Sequence, residues 1–508
     1  MLQNKTRLQE NALFFSFLAL VLILRYLLLT QFAFRLYDSD QTIMWSAAID
    51  YSHGIFHEPR FYGQAYSTML EALLAVPLVW LSVPVYIALP VITTLLAIFP
   101  FVFIAFIARS RGKLLQACLV LAIPIFLPVE YGFLTVLSRG FVTGIFVASF
   151  GAVMLYYPDR KWGWILCGFC AMVGYSVNPN SLLLSAPALL YLWLRNIKNP
   201  KFYLLCGTGI IAGLAIHFGV ALFYILNPGH NLHKLGRSVI AINLFLDGIC
   251  HLDDHLGLVT PVFGQFGVMS LVLFGVFGVT FLFQGKKEAA IMAFAVIGMV
   301  LFSLSMKQVY INTNSVFYSA GRYFLGLPVL FALMIPLVEF PFKRAGLALF
   351  LLTSGMLFAR SEDIEPGYKR EFAPGIDHFV SVASPQTFGR KCERIFNYAR
   401  QMKVTLVVEE NDYFYDFVDY GCAACNKNFP ATLRPVYERR VWRLQEEQTR
   451  VHRNIMIVDL SYRLSGELKK LDHAGVRYFN LQGFYFILGN KQPTLDLLKT
   501  LNISIRPF

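Results

Sequence analysis

Apolar runs of bilayer length recur along the first 360 residues, and they limit what the chain can fold into more than any other feature. A helix needs about 20 mostly apolar residues to cross the hydrocarbon of a membrane. Stretches at 11–33, 114–131, 141–157, 163–177, 181–194, 202–226, 264–283, 288–305, 323–341 and 345–359 approach that length. The stretch 67–108 is nearly all apolar but is interrupted by Pro77, Pro84 and Pro90. It is expected to make one net crossing, with its first half dipping into the membrane or lying at the interface. Backbone polar groups in lipid must be satisfied internally, so helices are the expected form. Composition agrees: 15% of residues are charged and 56% hydrophobic, whereas soluble domains carry roughly 25% charged residues. The expected fold class is a polytopic α-helical membrane protein with about 11–13 transmembrane helices.

Charge placement sets the sidedness. The short links 109–113, 158–163, 194–201, 284–288 and 342–344 are basic, as cytoplasmic loops of membrane proteins are. They account for much of the net charge of +13, so nucleic-acid binding is not expected. The run after Lys5 and Arg7 is too long for a signal-peptide core and is read as a retained first span. The alternating links, among them the loop 35–66, then face the other side.

That loop concentrates chemistry. Asp38 and Asp40 follow the first span directly, where a helix would deliver them to the water boundary. Behind them Ile43, Met44, Ala47, Ala48 and Tyr51 recur at helical spacing. Asp38 or Ser39 can cap this helix, which is expected to lie along the membrane surface on one greasy face. The other links on this side add Arg139, Asn178, Asn180, Arg322, Tyr323 and the long loop 227–262 with Lys234 and Arg237. Lys234 and Arg237 are three apart and would share a face of a helical loop. Acids in one loop and bases in several others suit a reaction in which a hydroxyl is deprotonated and a phosphate departs.

From Ser361 composition changes: residues 361–508 hold 18 of the 31 acids and 21 of the 44 Lys and Arg. This nearly neutral region shows strand-like runs at 403–409, 454–460, 476–481 and 484–489. Helical patterns at 388–402, 463–473 and 493–501 alternate with them, predicting a soluble α/β domain. The expected division is thus 1–360 transmembrane and 361–508 soluble. No Gly-rich phosphate loop follows any of these strands.

These residues resemble a known family. An outer loop with acids after the first span, an interfacial helix, the Phe61-Tyr62-Gly63-Gln64 element with Tyr66, and a Pro-containing span are similar to the GT-C glycosyltransferases. The resemblance is to the branch of protein O-mannosyltransferases and lipid A aminoarabinose transferases. Ser138-Arg139, Asn178-Pro179-Asn180 and Gly321-Arg322-Tyr323 are similar echoes, and the likeness covers residues 1–360. It implies a GT-C-like fold and transfer of a sugar from a polyprenyl-phosphate carrier to a hydroxyl acceptor outside the membrane, with inversion. An acid of the first outer loop would be the base. Where the branch usually has Asp-Glu, this chain has Asp38-Ser39-Asp40; Asp38 is the preferred base, with Asp40 orienting substrate or sharing the role. Arg139, Lys234, Arg237 and Arg322 would bind the donor phosphate, with His57, Tyr62, Gln64 and Tyr323 around the substrate. The branch generally uses no metal, so no cofactor is expected; the alternative is a divalent ion on Asp38 and Asp40. The acceptor is a lipid, a glycan or a protein, and the expected location is a bacterial inner membrane with the C-terminal domain extracytoplasmic.

Plainer roles compete. Asp38 can be only a cap, and Arg139 and Arg322 only interface anchors. His251 and His255, with Asp254, belong more readily to a solvated loop than to a metal site. Of the eight cysteines, Cys422 and Cys425 form a CxxC motif without the strand–helix context of a redox site; a local disulfide is its expected fate. The rival function is a transporter or flippase of lipid-linked or small anionic substrates. Transporters tend to show paired halves and broken midplane helices; here the polar residues collect at one face and no halves match, which argues against transport.

Overall fold

The apolar runs become helices in a computed structural model, which describes residues 2–64, 67–230, 239–310, 315–340, 345–372, 382–410, 421–459, 464–474, 476–481 and 483–507. The chain divides into two compact units. The first comprises 1–33, 90–219 and 236–377, and the second 34–89, 220–235 and 378–508.

The first unit is helical. Leu2–Leu28, Leu114–Phe126, Lys161–Val177, Leu182–Arg195, Val268–Phe283, Lys287–Ser303 and Gly346–Phe372 are its principal complete helices; most of Val85–Ser110 and Pro200–Leu226 also belongs to it. Among the described residues, four stretches are long and apolar enough to cross a bilayer: Leu8–Ala33, Val85–Ser110, Pro200–Leu226 and Ala320–Leu337. Residues such as Leu204, Ile211 and Phe283 are 72%, 68% and 89% exposed. Apolar surface on this scale is matched by lipid rather than water, and the protein is an integral membrane protein. Helix packing uses small residues, as membrane helices do. A Cβ at Gly168 would lie 2.4 Å from the Cys206 carbonyl oxygen, and one at Gly209 2.1 Å from that of Ile165. Only glycine lets these two helices come so close. Arg25, inside the first span, faces protein: it is buried and its Nη1 donates to Thr135 Oγ1 at 2.8 Å. The apolar run at 345–359 continues as one helix to Phe372, past the compositional break.

The second unit holds the C-terminal α/β fold. Its five-stranded sheet runs in the order Ala431–Leu433, Leu406–Glu409, Asn454–Val458, Phe484–Leu488, Arg477–Leu481. The first three strands are parallel and the last two form an antiparallel hairpin against them. Leu406, Val408, Ile455, Ile457, Tyr485 and Ile487 fill one face, covered by Leu464, Leu468, Leu497 and Leu498. All four strand-like runs read from the sequence lie in this sheet.

The same unit contains the acidic loop. Leu70–Trp80 forms an 11-residue helix, too short at about 16 Å to span hydrocarbon. The Ser39–Ser52 helix is not a surface strip with one greasy face. Asp40 to Trp45 are all buried, as are Ala47 and Ala48, so protein encloses it on several sides. Trp45 packs edge-on to Phe388, with ring centroids 6.0 Å apart, and Trp80 Nε1 donates to the Ser52 carbonyl at 2.9 Å.

One expected cross-link is corrected. The disulfide joins Cys392 to Cys422, with Cα atoms 5.3 Å apart, and Cys425 is an exposed free thiol. The helix Pro385–Gln401 carries Cys392 to within bridging distance, a proximity invisible in the spacing of the CxxC motif.

Candidate active site

In the second unit the site begins with a strand of two residues. Tyr37 and Asp38 pair antiparallel with Ala383 and Val382, and Tyr37 Oη donates to the Ser384 carbonyl at 3.1 Å. Asp38 then caps the Ser39–Ser52 helix. Its Oδ1 accepts from Gln41 N at 3.0 Å, and Gln41 Oε1 accepts from Asp38 N at 3.0 Å, a reciprocal capping box. The carboxylate is 1% exposed and held at the positive end of the helix. The cap fixes the direction of this carboxylate.

Asp40, two residues along, meets a cation from the C-terminal domain. Arg439 Nη2 lies 3.0 Å from Asp40 Oδ1, with the guanidinium 6.0 Å from the centre of the Phe61 ring. Gly63 makes room for this segment. Its φ is +71°, and a Cβ there would come 3.1 Å from Arg439 Cα. The glycine of the Tyr62-Gly63-Gln64 element thus serves both a left-handed backbone and a close approach.

A second layer surrounds the loop. Tyr62 Oη donates to Asp50 Oδ2 at 3.0 Å, and His57 Nε2 lies 3.8 Å from the same oxygen. The imidazole stacks on Trp442 at 3.6 Å with planes 9° apart. Burial raises the Asp50 carboxyl above its ordinary range, against the pull of His57 and Tyr62. Burial lowers His57, with Asp50 opposing. Tyr224 Oη donates to Glu58 Oε2 at 2.8 Å; burial pushes Glu58 up to about 7, against its bonds from Tyr224 and the Gly63 backbone. Gln64 is buried, and its N–H donates to the Phe61 carbonyl at 2.8 Å.

The first unit carries its own cluster. Arg139 and Arg322, from links far apart in sequence, approach one ring: their guanidinium carbons lie 5.4 and 6.0 Å from the centre of Phe141. Arg139 Nη1 donates to the Phe317 carbonyl. Arg322 Nη2 donates to Tyr323 Oη at 3.2 Å and packs 5.0 Å from that ring's centre. Asn180 Nδ2 donates to the Phe141 carbonyl at 2.8 Å, and Asn178 Nδ2 to that of Gly140 at 2.8 Å. The links at 139–141, 178–180 and 317–323 therefore form one polar end of this unit. Lys234 and Arg237, with Tyr66, lie outside the described residues.

Arg439, Trp442, Asp50 and Tyr224 did not emerge from the sequence as site residues. The basic pair Arg439-Arg440 was the only local trace, and it divides: Arg440 turns to Glu438, with Nε 3.0 Å from Oε1. Among the described residues no group of three or more His, Cys, Asp or Glu side chains is placed to hold a metal ion. His251 pairs with Asp247 at 3.3 Å, while His255 is buried at 2% exposure rather than solvated.

The fold thus combines a polytopic helical part with a C-terminal α/β domain. Among solved structures the chain is similar to ArnT from Cupriavidus metallidurans in the apo state, at 11% identity and a TM-score of 0.54, covering 93% of this chain and 96% of that one. ArnT from the same organism bound to undecaprenyl phosphate aligns at 10% identity and a TM-score of 0.49, over 93% and 97% of the two chains. No protein-family model matches the sequence, and no curated protein matches it.

Proposed function

We propose that this protein is an integral-membrane glycosyltransferase that moves a sugar from a polyprenyl-phosphate carrier to an acceptor hydroxyl. The observation that carries the reading is the meeting of Arg139 and Arg322 at Phe141. Two guanidiniums beside one ring offer the paired N–H donors that suit a phosphate. Tyr323, bonded to Arg322, orients that side chain.

In the reaction Asp38 takes the acceptor proton, the freed oxygen attacks the anomeric carbon with inversion, and the carrier leaves as its phosphate. Arg139 and Arg322, with Lys234 and Arg237, hold the charge that develops on it. Asp40 and Arg439 hold the acid-bearing helix in register, while His57, Tyr62 and Gln64 shape the substrate side. Arg439 already supplies positive charge at Asp40, which supports a metal-independent reaction. The acid loop and the C-terminal domain face the extracytoplasmic side of a bacterial inner membrane, opposite the basic links.

Proteoliposomes containing only this protein test the reading. With a radiolabelled polyprenyl-phosphate sugar and an envelope acceptor fraction, label is expected to move covalently to acceptor. Label that crosses the bilayer still attached to its carrier would instead indicate transport.

A further inference from the structure

We propose that the cavity beside the acid-bearing strand binds a saccharide, the glycan portion of the acceptor; this rests on the transferase reading above. The cavity measures about 310 Å³, within the ordinary range for small-ligand sites. Its aromatic lining comes from Tyr37, Trp45, Tyr86, Phe388 and Phe396. Tyr37 directly precedes Asp38 on the short strand, and Trp45 lies on the helix that Asp38 caps. The cavity and the proposed base thus share one rigid element.

The polar lining narrows the ligand. Glu393 and Asn426 join the aromatic residues around the cavity, offering a carboxylate and an amide. Trp45 adds its indole ring to the aromatic lining. A lipid tail would leave Glu393 and Asn426 unmatched, and an anion would be repelled by Glu393. A hydroxylated ring with one C–H face satisfies both kinds of surface: the face lies on the aromatic rings while hydroxyls donate to Glu393 and accept from the Asn426 amide. The cavity is also braced. The Cys392–Cys422 disulfide ties the helix that bears Phe388 and Glu393 to the segment that bears Asn426.

Ligand-observed saturation-transfer NMR on the full protein in nanodiscs, without any donor, tests this. The probes are glucose, galactose and N-acetylglucosamine, with glycerol and empty nanodiscs as controls. The sugars are expected to receive saturation from wild type, and several-fold less from Glu393→Gln and from Asn426→Ala, neither of which removes a core contact. No transfer to any of the sugars, or equal transfer from wild type and both variants, would overturn the proposal. Kinetics separate it from the transferase reading. Glu393→Gln is expected to raise the acceptor KM several-fold with the donor KM unchanged. Sugar binding by a wild-type protein that transfers nothing would sink the reaction while leaving the cavity's ligand in place.

Discussion

The carboxylate of Asp40 and the guanidinium of Arg439 meet at 3.0 Å, tying the acid-bearing helix to the end of the Val436–Glu438 strand. Their side chains are 10% and 15% exposed, so each shields the other from a costly unpaired burial. Arg439→Gln and Asp40→Asn should each lower the unfolding temperature. The double variant should recover part of the loss, with a coupling of about 0.5–3 kcal/mol in a double-mutant cycle. Additive losses would show that the pair does not hold the helix.

The arginines at Phe141 should act on the donor. Arg139→Ala and Arg322→Ala each remove a charged hydrogen-bonding group, typically about 1.5–3 kcal/mol, which is a loss of about 10–150-fold in kcat/KM for the donor. Arg322→Lys should recover little, because an ammonium keeps the charge but not the planar fork. Steady-state kinetics with varied donor and saturating acceptor make the measurement.

Glu58 gives the loop a pH signature. Its folded value, raised by burial to about 7 from 4.5, means the folded state binds a proton that the unfolded state gives up sooner. This contribution to stability is complete below about 4.5 and is lost as pH rises to about 7. Glu58→Gln should flatten the dependence of the unfolding temperature on pH in that window. An identical profile in the variant would contradict the burial of an ionisable carboxyl at Glu58.

The cross-link makes a chemical prediction. Before reduction, intact-mass analysis should find Cys425 open to alkylation and Cys392 and Cys422 blocked. A bridge closing a 30-residue separation contributes about 3–4 kcal/mol on chain-entropy grounds, so Cys392→Ser should lower stability markedly and Cys425→Ser should not. Alkylation of Cys392 without reduction would mean a different pairing.

What was readable in the sequence followed the physics of solvent. Lipid demands long apolar helices, and Pro200–Leu226 announces itself by length and composition alone. The buried strands of the α/β sheet do so by short apolar runs such as 454–458, and Asp38 by its position as a cap. Contacts made by distant segments leave no such periodic trace. Arg439 and Trp442 sit in a near-neutral region whose charges mostly pair locally, so nothing in their spacing points to Asp40 or His57. The same holds for the cysteines: the close neighbours Cys422 and Cys425 suggest a bridge, but a helix face brings Cys392 to the partner. The Ser39–Ser52 helix carries the predicted apolar spacing, yet its polar residues Gln41 and Thr42 are buried too, because a domain remote in sequence covers them.

The most direct test of the account is single-turnover sugar transfer by Asp38→Asn protein reconstituted in proteoliposomes. The amide still accepts the Gln41 N–H and so can keep the helix capped, but it cannot take a proton. The account predicts a folded protein that binds the polyprenyl-phosphate donor with near wild-type affinity and transfers sugar at least a hundredfold more slowly, a loss of about 2.7 kcal/mol or more in transition-state stabilisation. Transfer at the wild-type rate would contradict it.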